Sequence, residues 1–160
     1  MKKPGLYEWS VILSFIIVPL TAICAEASVV GSPPRLSAIA LKWFVFCGIG
    51  LRLGTAGIKQ IIKPQFTARE IFKIQNDSIL PIIRELGFAN VCFSVIAIMS
   101  LFLPAFRIPA AVAGGLYFGF AGLLHILKPK DSKNEIFALV SDIFIFLVIG
   151  ILTIINLLAI

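Results

Sequence analysis

The sequence predicts an all-α fold, an integral membrane helical bundle forming one domain over residues 1–160. Three observations predict it. Hydrophobic residues make up 59% of the chain and charged residues 14%, with a mean hydropathy of +1.04, so apolar side chains exceed what one small core can bury. Apolar runs of about 20 residues, the length that crosses a hydrocarbon core, recur along the chain. The cations fall between those runs and form no face or stripe, so the net charge of +6 points to membrane orientation and excludes nucleic acid as a partner.

The first span is expected over 9–25. Lys2 and Lys3 precede it and the small residues of CAEA close it, a pattern shared with cleaved signal peptides. Glu8 before the run, with Tyr7 and Trp9 as interfacial anchors, favours retention as a transmembrane helix. Pro19 would kink that helix, which neighbours in a bundle tolerate. A linker from Glu26 to Leu36 carries Gly31, Pro33 and Pro34, which stop helix.

A second span follows over 37–58. Beyond it, Thr67 and Glu70 have capping-box spacing with Phe66 and Ile71 as a hydrophobic staple, predicting an interfacial helix over 68–75 that does not cross. The third span is expected over 81–103, with Pro81 in its first turn, where a missing N–H does no harm. Pro104 and Pro109 bracket the tight connection to a fourth span over 108–127. After a polar turn, Ser132 and Glu135 form a second capping box, which opens a fifth span over 134–159.

Charge counting predicts sidedness. Lys2, Lys3, Lys59, Lys63, Arg69, Lys73, Lys128, Lys130 and Lys133 fall on one side, and only Arg35 and Arg107 on the other. Nine against two predicts a multi-pass protein of the inner (cytoplasmic) membrane, N-terminus cytoplasmic and C-terminus outside.

Within the spans remain Lys42, Arg52, Arg84, Glu85 and Asp142, accompanied by Asn90, His125 and Asn156. The expected span ends put Arg52, Glu85, His125 and Asp142 within roughly 3 to 9 Å of one boundary at 1.5 Å per residue. An ionised group at membrane depth costs about 2.5 to 3.5 kcal/mol on insertion scales, so partners are expected. Arg52 pairs with Glu85 or Asp142, and His125 with the remaining acid. Lys42 and Arg84 lie near enough to a boundary to snorkel. The candidates for ligand binding or a proton relay are Arg52, Gln60, Glu85, Asn90, His125 and Asp142.

Small residues predict the packing. Gly50, Gly54 and Gly57 form one stripe, and Ala111, Gly115, Gly119 and Gly122 another, both at small-xxx-small spacing. Cys24, Cys47 and Cys92 lie one per span without a CxxC and are expected as small buried hydrophobes. No P-loop, GxSxG, HExxH, EF-hand or CxxCH motif is present, and a single His cannot supply a two-histidine haem or a multi-His metal site. No metal or tightly held cofactor is expected, and a hydrolytic or metal enzyme is disfavoured.

FTAREIF (Phe66–Phe72), RELGFAN (Arg84–Asn90), GGLYFGFAGLLH (Gly114–His125) and SDIFIFLV (Ser141–Val148) resemble a family of small bacterial integral membrane proteins of unknown function, over about Ala40 to Val148. More loosely, the chain resembles the DoxX-like group, which implies a four-helix core plus one N-terminal transmembrane helix. Some members of that group are linked to quinone-dependent oxidoreductases. The expected function is therefore a small bundle that binds an amphipathic ligand, a quinone or lipid, near the inner leaflet. Alternatives are a structural or assembly subunit of a membrane complex, and a small proton-coupled exporter working at least as a homo-oligomer.

Overall fold

The computed structural model describes residues 5–30, 36–127 and 133–159, with the side chains of Leu6, Tyr7, Lys133 and Asn134 left aside. The described residues are helical throughout, apart from short connections, and contain no strand. We number the helices α1 (6–29), α2 (36–62), α3 (64–71), α4 (80–102), α5 (107–127) and α6 (133–157). Five of them, all but α3, are long and apolar enough to cross a membrane.

The second of these is the central helix: half of its spanning window is buried inside the protein, against 22–33% for the other four. It touches α1, α4, α5 and α6. Its buried face contributes Leu41, Val45, Ile49 and Leu53 to a core completed by Phe15 of α1, Phe118 of α5 and Ile145 and Ile149 of α6. Exposed Leu, Ile and Phe side chains cover the outside, as a lipid solvent requires.

Glycines let the helices approach closely. A Cβ on Gly57 would lie 2.7 Å from the Gly87 carbonyl oxygen, and one on Gly54 2.5 Å from Ser94 Oγ. The stripe of α2 thus lies on α4, where Ser94 Oγ donates to the Gly50 carbonyl at 2.7 Å. On α5, Gly119 receives Phe146, Gly122 receives Ile143 and Gly115 faces Ile149, all from α6, while Ala111 is 1% exposed. Gly114, one position off that stripe, receives Ile49 of α2.

Several elements differ from their sequence-based expectation. Helix α1 continues through Val29 rather than stopping at 25, because no breaker intervenes before Gly31 and Glu26 finds partners on α2. Its Pro19 is buried, and a π-helical turn over Leu13–Ile17 immediately precedes it. The wider turn takes up the i→i−4 bond that proline cannot make. Helix α2 contains a longer π-helical segment, Val45–Leu51, and then runs on to Ile62, so Lys59 and Gln60 are helical rather than part of a loop.

The interfacial helix lies four residues earlier than the expected 68–75. Pro64 starts it after a non-helical Lys63 (φ −130°, ψ 64°), and Thr67 is buried inside it instead of capping it. A proline's fixed φ at the first position outweighs a capping box one turn later. The chain turns out of the helix at Lys73, whose φ of 58° lets the Ile74 N–H donate back to the Ala68 carbonyl at 2.9 Å.

Only Cys47 is buried; Cys24 and Cys92 lie on the outer surface. That surface is apolar, so a thiol escapes water there without entering the core. The linker at 31–35, Lys2, Lys3, Arg35, Lys128, Lys130 and the Ser132 capping box lie outside the described residues.

Candidate functional site

Polar side chains from four helices meet at the end of the bundle that carries Lys59 and His125. Near that end of α2, Gln60 Oε1 accepts a hydrogen bond at 2.7 Å from Asn90 Nδ2 of α4. Asn90 is 1% exposed, and Gly57 makes room for it by presenting only a hydrogen. The Asn90 amide also lies within hydrogen-bonding reach of the Tyr117 hydroxyl on α5. The acceptor atom of that amide, Oδ1, has no hydrogen-bond partner among the described residues.

Arg52 of α2 extends the group toward α6. It is within electrostatic reach of both Tyr117 and Asp142. Asp142 Oδ2 in turn lies 3.9 Å from His125 Nε2, with the two side chains 13% and 23% exposed. One carboxylate, Asp142, thus lies near two of the bases for which the sequence predicts separate acids.

Glu85 lies elsewhere. It and Arg84 are exposed on α4, because the face of α4 turned to α2 is occupied by Gly87, Asn90 and Ser94. Five of the six candidates therefore gather: Arg52, Gln60, Asn90, His125 and Asp142. Tyr117 joins them without having been singled out from sequence. Its signal was available, since a tyrosine two residues before Gly119 stands on a different face from the glycine stripe.

The outer surface of α5 and α6 carries an apolar groove of about 400 Å³. Ile126 of α5 forms one wall, and Leu139, Ile143 and Phe144 of α6 form the other, with neither His125 nor Asp142 in the lining. Val140 and Leu147 keep the groove open to the outside, at 60% and 51% exposure. Chemically, the groove is apolar, and next to its wall residues in sequence stand His125 and Asp142, a titratable pair whose carboxylate lies within electrostatic reach of Arg52.

A second polar group sits at the opposite end. Glu26 of α1 accepts from Lys42 Nζ and, at 2.7 Å, from Trp43 Nε1, both on α2. Arg107, at the start of α5, lies within electrostatic reach of the same carboxylate. Lys42 is therefore bonded rather than snorkelling, because the continued α1 brings an acid to its level. At the same end Asn156 Nδ2 donates to the Ser37 carbonyl at 3.1 Å, tying α6 to α2. Among the described residues no group of three or more His, Cys, Asp or Glu could hold a metal ion.

No curated protein matches the chain, and no solved structure does. A family model matches residues 8–160, nearly the whole length. The chain belongs to the family of unknown function DUF6790.

Proposed function

We propose that this protein binds an amphipathic ligand, its apolar tail lying in the α5/α6 groove and its polar head reaching the His125–Asp142 pair. The observation that supports the reading is a titratable pair, partly exposed and not sealed in the core, whose chain neighbours Ile126 and Ile143 line an apolar groove on the outer surface of α5 and α6. A ligand entering from the bilayer would bury its tail without leaving lipid. Its head would exchange hydrogen bonds with a histidine and a carboxyl group.

The same chemistry chooses the class of head. Asp142 disfavours an anion at this position, whereas a carbonyl or hydroxyl can bond to either partner. An isoprenoid quinone, or a lipid with a neutral hydroxylated head, fits better than an acidic phospholipid. The looser likeness to the DoxX-like group, some members of which are linked to quinone-dependent oxidoreductases, agrees with this choice. A proton on the bound head could be shared with His125 and Asp142, with Arg52 balancing the carboxylate.

The orientation belongs to the same proposal. The cationic connections lie in the cytosol, so the site sits near the inner leaflet of the cytoplasmic membrane and the C-terminus faces outward. A reporter fused after Ile160 and found active in the cytosol overturns that orientation.

Binding is tested by purifying the full chain in mild detergent and quantifying co-purifying lipids by mass spectrometry. A near-stoichiometric quinone or neutral lipid, lost in Asp142→Asn and in the groove-filling Val140→Trp, is the expected result. Recovery of only bulk phospholipid in bulk proportions overturns the reading.

A second reading has its own observation. Arg84 and Glu85 are exposed on α4 within a spanning segment, where they could pair with a partner helix in an assembly. Loss of a larger native complex in Glu85→Leu, with lipid content unchanged, would favour it.

A further inference from the structure

A second cleft, of about 390 Å³, lies on the outer face of α2, lined by Thr55, Ile58, Lys59, Ile62 and Lys63. It occupies the last two turns of a spanning helix, the level at which headgroups meet hydrocarbon. Its walls are of two kinds. Ile58 and Ile62 are 54% and 69% exposed and offer an apolar shelf, whereas the two lysines offer ammonium groups.

The cations are held in place by the corner between α2 and α3. Lys59 Nζ sits 3.3 Å from the centroid of the Phe66 ring, so α3 fixes where its charge lies. Lys63 stands at the break itself, in non-helical backbone, and caps the end of α2. Lys59 lies within electrostatic reach of both Lys63 and Arg52. Among the described residues neither lysine has a carboxylate within 4.0 Å. The Thr55 hydroxyl is committed to the Arg52 carbonyl at 3.0 Å, which leaves the two ammonium groups as the polar recognition.

We infer that this cleft binds the phosphate headgroup of an anionic phospholipid. The headgroup would sit between Lys59 and Lys63, with the first methylenes of its chains on Ile58 and Ile62. Like charges gathered beside an apolar shelf suit a ligand that is anionic at one end and hydrocarbon at the other. The inference rests on the chain spanning a membrane and is independent of the α5/α6 groove, whose acidic member disfavours such a headgroup.

The test is native mass spectrometry of the full chain in detergent, titrated with phosphatidylglycerol and phosphatidylcholine of identical chains. The wild-type protein should prefer phosphatidylglycerol by roughly 30-fold, the effect of two lysines near a membrane surface. Lys59→Gln combined with Lys63→Gln should abolish the preference. Arg69→Gln, which removes a cation already paired with Asp77, should leave it intact.

If the double variant does not fold, Lys63→Gln alone should lower the preference several-fold, and an unchanged value overturns the inference. Equal wild-type affinities for the two lipids also overturn it. Displacement of phosphatidylglycerol by millimolar inorganic phosphate would assign the site to a free anion and overturn the lipid.

Discussion

Gly57 and Gly87 meet backbone to backbone where α2 crosses α4. A Cβ on Gly57 would stand 2.7 Å from the Gly87 carbonyl oxygen, and one on Gly87 2.9 Å from the Gly57 carbonyl oxygen. Neither carbonyl can move without disturbing its own helix. The two helices can keep this spacing only if both positions lack a side chain.

Gly57→Ala and Gly87→Ala should therefore each destabilise the bundle by up to about 2 kcal/mol net, because an overpacking cost of about 1–3 kcal/mol outweighs the roughly 1 kcal/mol that alanine contributes to helix propensity. Gly150 of α6 has nothing within 4 Å of its added Cβ. There alanine should stabilise by about 0.5–1 kcal/mol. Unfolding in mixed micelles, followed by circular dichroism, measures all three, and a stabilising Gly57→Ala would contradict the crossing.

The Glu26–Lys42 pair links α1 to α2 with both side chains largely withdrawn from solvent, at 25% and 18% exposure. Removing either charge leaves its partner uncompensated within a spanning segment. Glu26→Leu and Lys42→Leu should each cost more than the double replacement, with a coupling of about 1–3 kcal/mol. Micelle unfolding of the four proteins gives that coupling, and additive single effects would show that the pair does not act as a unit.

Lys73 adopts a left-handed conformation to close α3. A side chain there costs about 1 kcal/mol that glycine does not pay. Lys73→Gly should raise the melting temperature by a few degrees, whereas Lys73→Val should lower it. If Lys73→Gly lowered stability, the turn would be held by the lysine side chain and not by its backbone.

Much of the fold was legible because helices in lipid are dictated locally. Runs of about 20 apolar residues must satisfy their own backbone groups, so the five spanning helices follow from composition and length. The faces of the two small-residue stripes follow from a period of 3.6. Helix ends were harder to read. Lys59 and Gln60 look like loop, yet Gln60 stays helical and bonds Asn90. Thr67 looks like a cap, yet Pro64 begins the helix first.

The site was legible in membership more than in pairing. Arg52, Asn90, His125 and Asp142 stood out as polar residues in apolar runs, whereas Tyr117 and Glu26 did not. A tyrosine is unremarkable beside phenylalanines until its hydroxyl meets Asn90, and Glu26 resembled linker until α1 continued past it. Glu85 matched the expected depth but not the azimuth.

By itself the sequence determined how many helices could cross, where their charges lie along each axis, and which faces are small enough to touch. Those properties depend on neighbours a few residues away. Only the tertiary structure decided that Asp142 serves both Arg52 and His125, that Glu26 meets Lys42, and that Glu85 faces outward. Each residue turns a helix by about 100°, and the π-helical segment before Arg52 changes that rotation. Which side chains meet therefore depends on where the helices cross, and that is fixed by contacts between residues far apart in the chain.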